Sequence, residues 1–124
     1  MTRLFRTALT AFVLVPFAVA PAHPKLLSSV PAASSRAAAP RQLSLTFNET
    51  VTPALSRIAL TDERQQVIEL GAVRADAAND HVIIADVKGA MANGRYTVRW
   101  QATGGDSHPL RGSYAFEVTA APAP

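Results

Sequence analysis

The chain has 124 residues and no cysteine, with 12 Lys and Arg against 9 Asp and Glu. This length predicts one small domain, and the lack of cysteine excludes disulfide bridges and thiolate metal ligands. No run of Lys or Arg is interleaved with aromatic residues, so the composition does not indicate nucleic-acid or polybasic membrane binding.

The first 22 residues have the order of a secretory signal peptide. Arg3 and Arg6 form a basic segment, and residues 8–19 form a largely apolar run of 12 residues. Two small residues, Ala20 and Ala22, then stand at the −3 and −1 positions of the expected cut. A cut after Ala20 is the alternative, but it would leave a proline at the first mature position, where proline disfavours cleavage.

An uncleaved membrane anchor is a second alternative for this segment. Spanning the hydrocarbon core of a membrane takes about 20 apolar residues, whereas this run has 12 and contains Pro16. We therefore expect a cleaved signal peptide over residues 1–22 and a soluble periplasmic product over residues 23–124. That product has 102 residues and a formal charge of +1, because two arginines leave with the signal peptide.

The first part of the mature chain contains a loop followed by strand signals. Residues 30–41 are mostly small, with a proline near each end, which predicts a connecting loop. Apolar and polar residues then alternate over 42–47, the pattern of a strand with one buried face. The alternation is weaker over 58–60, and short apolar runs follow at 67–70 and 81–87.

The C-terminal third has the clearest pattern. Asn93-Gly94 is a turn signal, and large apolar residues alternate over 96–100 and again over 114–118, with Gly104-Gly105 between them. No segment predicts an amphipathic helix of useful length. The chain therefore predicts an all-β fold, a small antiparallel Greek-key β-sandwich or barrel of immunoglobulin-like type with about seven strands.

Three residues suggest a metal site. A mature N-terminal His23 offers a metal its free amine and its imidazole. Asp106 and His108 are two residues apart, and in an extended segment such residues point to the same side. This nitrogen and oxygen donor set suits Cu(II) in tetragonal geometry, but histidine and carboxylate also bind zinc. His81 follows Asp80 at the start of a strand, where we expect an exposed or hydrogen-bonded histidine rather than a ligand.

Several blocks of the sequence resemble the periplasmic copper-resistance protein CopC family. They are HPKLLSSVPA at 23–32, LSLTFNE at 43–49, GRYTVRW at 94–100, DSHP at 106–109 and GSYAFEV at 112–118. The resemblance runs in order through essentially the whole mature chain. It implies a β-barrel-like sandwich that binds copper and hands it on.

The resemblance also implies roles for particular residues. His23 would supply an amine and an imidazole to copper, His108 a second imidazole and Asp106 a carboxylate. Glu49 matches an acidic position of the family near the site and is expected as an outer-sphere group only. The implied partner is an inner-membrane copper transporter of the CopD type, and we expect the protein itself to be a monomer.

One departure from the family pattern concerns methionine. Some members bind Cu(I) through a methionine-rich loop, but this chain has only Met1, which is lost with the signal peptide, and Met91. The segment 60–66, near where such a loop would fall, is short and charged. We therefore expect a single Cu(II) site and no separate Cu(I) site.

Three functions remain open at this point. The first is a non-catalytic periplasmic Cu(II) carrier or buffer in copper homeostasis or resistance. The second is a copper mono-oxygenase-type enzyme that uses an N-terminal histidine brace, as lytic polysaccharide monooxygenases do. The chain is short for that class, and Asp106 would occupy a coordination position that oxygen chemistry needs open. The third is a metal-free periplasmic adhesion or assembly sandwich.

Overall fold

The computed structural model describes residues 13–16 and 24–120, and the second range forms two β-sheets joined by loops. Most of the expected signal peptide, His23 and the tail at 121–124 lie outside the described residues. In the part of the chain that the structure describes, no helix is long and apolar enough to cross a membrane.

The described residues contain nine strands and one short 3-10 helix. In chain order the strands are β1 (Leu26–Val30), β2 (Arg36–Ala37), β3 (Gln42–Phe47), β4 (Arg57–Thr61), β5 (Val67–Ile68), β6 (Arg74–Ala75), β7 (Val82–Asp86), β8 (Gly94–Thr103) and β9 (Pro109–Val118), and the 3-10 helix spans Pro53–Leu55 before β4. The first sheet has the strand order β1-β3-β7-β6, and the second has the order β2-β9-β8-β4-β5. All pairs are antiparallel except β2 with β9. The predicted all-β sandwich is confirmed.

The core lies between the two sheets and follows the predicted alternation. In β3, Leu43, Leu45 and Phe47 are buried, while the residues between them are partly exposed. In β8, Tyr96, Val98 and Trp100 are buried in the same way. Full burial of one such large apolar side chain stabilises the fold by about 1.5–3 kcal/mol. The cysteine-free chain therefore depends on these alternating positions for its stability.

Aromatic contacts join strands and sheets within this core. Phe47 of the first sheet meets Trp100 of the second edge to face, with ring centroids 5.2 Å apart and planes at 72°. Tyr96 and Phe116 are register partners on β8 and β9, and their rings stack at 6.0 Å. Edge-to-face and offset-stacked arrangements suit the charge distribution of aromatic rings. The first of these pairs fixes how the two sheets lie on each other.

Two of the short strands were not expected from the sequence. β2 lies inside the predicted loop at 30–41, and β6 lies in a segment without alternation. A two-residue strand has no measurable period, so only its partner defines it. For β2 that partner is the end of β9, and backbone hydrogen bonds from Glu117 to Ser35 and from Thr119 to Ala37 hold the pair.

Gly112 provides a test of the packing around Trp100. A Cβ at Gly112 would overlap the Trp100 ring, which is rigid and enclosed by the core. We expect Gly112→Ala to lower the free energy of unfolding by about 1–3 kcal/mol, the usual cost of overpacking. Urea denaturation measures this. Gly105→Ala is the matched control, because a Cβ there meets nothing within 4 Å, and equal stability of the two variants would contradict this account of the core.

Candidate metal centre

One end of the sandwich collects the loops that carry the candidate ligands. β1 and β7 begin at this end, β3 ends at it, and the loop between β8 and β9 lies at it, as the antiparallel pairings require. We call this end the loop pole, and it comprises residues 24–25, 48–56, 79–81 and 104–108. The opposite end carries the turns at 62–66 and 92–94.

Backbone contacts attach the start of β1 to the segment that follows β3. The Lys25 N–H donates to the Asn48 side-chain oxygen at 2.7 Å, and the Asn48 N–H donates to the Lys25 carbonyl at 3.0 Å. Pro24, one residue earlier, is fully buried. The residue that precedes Pro24 in the chain is His23, so the described structure fixes the chain up to the point where the candidate amine ligand begins.

Glu49 lies at the same pole in an environment that leaves one of its carboxylate oxygens without a partner. Its Oε1 atom is buried and accepts no hydrogen bond from the described residues. It occupies the space that a Cβ at Gly104 would take, and the Pro24 ring borders the same space. A buried oxygen without a donor costs about 1–3 kcal/mol. Such an atom in a native fold requires an explanation, and an ion is one of them.

Asp106 and His108 come together by a route that differs from the expected one. Ser107 between them has φ of +62°, so the segment is a turn and not an extended strand. The Asp106 carboxylate accepts the His108 backbone N–H at 3.2 Å, and its other oxygen lies 3.7 Å from His108 Nδ1. The segment is therefore not extended, and the expectation that alternation places Asp106 and His108 on one side is wrong here. The turn itself brings the two side chains together.

The imidazole and carboxylate of this turn differ in exposure. The His108 side chain is 78% exposed, whereas the Asp106 side chain is 27% exposed. Among residues 24–120, no three His, Asp or Glu side chains are grouped closely enough to hold a metal ion. His23, the remaining member of the predicted set, lies outside the described residues.

His81 lies at the loop pole but has its own local contacts. Its backbone N–H donates to the Asn79 side chain at 3.0 Å, and its Nε2 is 3.8 Å from an Asp80 carboxylate oxygen. This agrees with the expected histidine at a strand end.

Sequence reasoning missed the part that Gly104 plays. We interpreted Gly104-Gly105 as a turn alone, yet the lack of a side chain at Gly104 leaves the room that the Glu49 carboxylate fills. From the sequence alone, two adjacent glycines that form a turn look the same as two glycines that leave room for a side chain from elsewhere in the chain. Only the approach of the segment after β3 to the end of β8 reveals the difference.

The fold and this pole define a small antiparallel β-sandwich protein whose candidate metal-binding side chains lie in the loops at one end. Comparison with known families gives the particular assignment. The chain belongs to the CopC family, because the family model described as the CopC domain matches residues 26–119. The family expected from the sequence is thereby confirmed.

Individual relatives agree with this assignment. Copper resistance protein C of Xanthomonas campestris pv. juglandis is 31% identical over 123 residues, which cover 92% of this chain and 97% of that protein. The crystal structure of PcoC, a methionine-rich copper resistance protein from Escherichia coli, matches with a TM-score of 0.71 and 33% identity over 79% of this chain and 100% of that one. Copper transport protein CutJ of Bacillus subtilis (strain 168) is 25% identical over 98 residues, which are 78% of this chain but 18% of that protein.

Gly104→Ala tests the position of Glu49. The new methyl group would displace the Glu49 carboxylate, which is the end of a flexible side chain and can rotate into solvent. We therefore expect a change of less than about 1 kcal/mol in the free energy of unfolding but a clear shift of the Glu49 side-chain carboxyl carbon in NMR spectra. Gly105→Ala should leave that signal in place. An unshifted Glu49 signal in Gly104→Ala would show that the carboxylate does not occupy this space.

Proposed function

We propose that the protein is a non-catalytic periplasmic carrier or buffer of Cu(II) that acts in copper homeostasis or resistance. The names of its relatives support a copper-related resistance function. On this proposal, residues 1–22 direct export and are removed, and residues 23–124 form a single monomeric domain. That domain delivers copper to, or receives it from, an inner-membrane transporter of the CopD type.

The single observation that carries the metal proposal is the buried Oε1 of Glu49. It lacks a hydrogen-bond donor among residues 24–120, and it lies at the pole that also holds Asp106 and His108. Burying a carboxylate oxygen without a hydrogen-bond donor lowers the stability of the fold. A cation, or an N–H group of a metal-bound ligand, would give this oxygen a partner. The unmet acceptor therefore supports a positively charged occupant near Gly104.

The proposed ligands supply both nitrogen and oxygen donors. His23 supplies its amine and imidazole, His108 supplies a second imidazole, and Asp106 supplies a carboxylate. A metal-bound amine still carries N–H groups, and Glu49 Oε1 is an acceptor that needs one, which supports Glu49 as an outer-sphere group. The charges of Asp106 and Glu49 together would balance the two positive charges of Cu(II).

Reversible ligation on this donor set would depend on pH. Copper must displace protons from an α-amine, whose ordinary pKa is about 7.7–8.0, and from imidazoles. Metal affinity at such sites falls as the pH drops, because the ligands must be deprotonated. The His108 side chain is 78% exposed and that of Asp106 is 27% exposed, so of these two ligands His108 is the one that an approaching acceptor can replace first. A carrier needs this combination of binding and access.

Selectivity for Cu(II) rather than Cu(I) has support in the methionine content. The related PcoC is described as methionine rich, whereas this chain has two methionines. Met91 packs against the hydrophobic core and is partly buried. One thioether held by the core does not form a soft Cu(I) site, so we propose that the protein has no such site. Zinc remains a competitor for the nitrogen and oxygen donors.

The transporter partner and the absence of catalysis have separate support. A segment similar to this chain makes up 18% of the copper transport protein CutJ, which supports an association between this domain and copper transport. The donor set supports a carrier over an enzyme, because Asp106 takes a coordination position that an oxygen-activating copper site would need open.

His108→Ala tests the ligand assignment. Loss of an imidazole ligand should weaken Cu(II) binding by roughly a hundredfold or more, since even outer-shell changes cost 10–100-fold. Competition with a chromophoric Cu(II) chelator measures the affinity. His81→Ala is the matched control, because His81 also precedes a strand at the loop pole, and its affinity should equal that of the parent. If both variants bind copper as the parent does, the proposed site is wrong.

An added residue before His23 tests the amine ligand. Mass spectrometry of the exported parent should first show a mature chain that begins at His23. One extra alanine in front of it converts the amine into a peptide nitrogen, so Cu(II) affinity should fall strongly while the melting temperature of the metal-free protein stays the same. Binding of copper to the extended protein with the parent affinity would refute the amine ligand.

A further inference from the structure

On the outer face of the second sheet, three arginines lie close together on three adjacent strands. Arg57 of β4 and Arg111 of β9 are both register partners of Gln101 on β8. Arg99 is two residues before Gln101 on the same face of β8. With strands about 4.8 Å apart and alternate residues about 6.7 Å apart, the backbones of these residues form a triangle with sides of about 8–10 Å. We call this group the arginine face.

The three guanidinium groups have no acidic partner in the sheet. All three residues are exposed, and none makes an ion pair within residues 24–120. Arg111 Nε donates a hydrogen bond to Gln101 Oε1 at 3.0 Å. The neighbours of Arg99 in its register row are Ala59 and Ser113, which carry no charge.

Two other exposed arginines of the same protein are paired. Arg36 contacts Glu117 at 3.2 Å at the far end of the second sheet, and Arg74 contacts Asp86 at 3.1 Å on the first sheet. Like charges on neighbouring strands destabilise a sheet. The arginine face is therefore a local concentration of positive charge that no ion pair within residues 24–120 offsets.

The arginine face also borders the candidate metal centre. The Gln101–Arg111 pair is two residues from the Thr103–Pro109 pair, where the sheet ends and the loop with Asp106 and His108 begins. A partner bound across these strands would have its edge over that loop. We propose that the arginine face docks an acidic surface of the protein that exchanges copper with this domain. This inference rests on the proposed carrier function.

A protein partner fits the face better than a membrane does. All three cations are arginines, whose planar fork pairs with carboxylates in a bidentate way that lysine does not match. The residues between them and in the next row of this face are small or polar, namely Ala59, Thr97, Gln101, Ser113 and Ala115. Membrane-surface binding usually combines basic residues with apolar side chains that enter the lipid. No large apolar side chain lies between these three arginines, and the exposed Val67 of the same sheet lies on the edge strand β5.

The first experiment measures binding to a synthetic peptide of alternating glutamate and threonine by NMR at low ionic strength. We expect amide shifts on β4, β8 and β9 in the parent, and roughly tenfold weaker binding after Arg57, Arg99 and Arg111 are all replaced by Gln. The matched control replaces Arg41, Arg64 and Lys88 by Gln, which removes the same charge from exposed positions elsewhere. Equal weakening in both variants would overturn the docking face, because net charge alone would explain it.

The second experiment separates the docking face from the metal site and from lipid binding. The arginine-face variant should bind Cu(II) with the parent affinity, so that weaker peptide binding cannot come from a lost metal centre. If the parent protein fails to bind Cu(II), the carrier function is wrong, even if the parent binds the acidic peptide through the arginine face. Phosphatidylglycerol vesicles test the membrane, and arginine-dependent vesicle binding without peptide binding would overturn the proposal.

Discussion

The contact between Trp100 and Phe47 is the interaction on which the rest of this structure depends. Trp100 is on β8, lies directly over Gly112 of β9 and meets Phe47 from the opposite sheet edge to face. In a domain without disulfide bridges, such a contact determines how one sheet sits on the other. Because Phe47 ends β3 and Trp100 lies near the end of β8, their packing places the loops after both strands at one pole.

The chemistry of the loop pole follows from that placement. Glu49 is two residues beyond Phe47, and Gly104 is four residues beyond Trp100, so the core packing brings the carboxylate into the space that Gly104 leaves. The resulting oxygen is buried without a donor among the described residues. Burial of an acceptor without a donor disfavours the folded state.

The sequence predicted much of the fold and part of the candidate site. Alternation of apolar and polar residues identified β3, β8 and β9, because each of these strands has one face in the core and is long enough to show a period of two. It failed for β2 and β6, because two-residue strands are defined by their partners. The pairing of Asp106 with His108 was expected, but for the wrong reason, since a positive φ at Ser107 turns the chain where an extended segment was assumed.

The sequence by itself determined the all-β class, the resemblance to the CopC family and the kinds of side chain available to a metal, because these depend on local patterns and on residue types. The tertiary structure alone decided that Glu49 faces Gly104 and that Arg57, Arg99 and Arg111 share one face. These relations join residues that are far apart in the chain. They arise from strand register and sheet packing, which no local pattern of residues encodes.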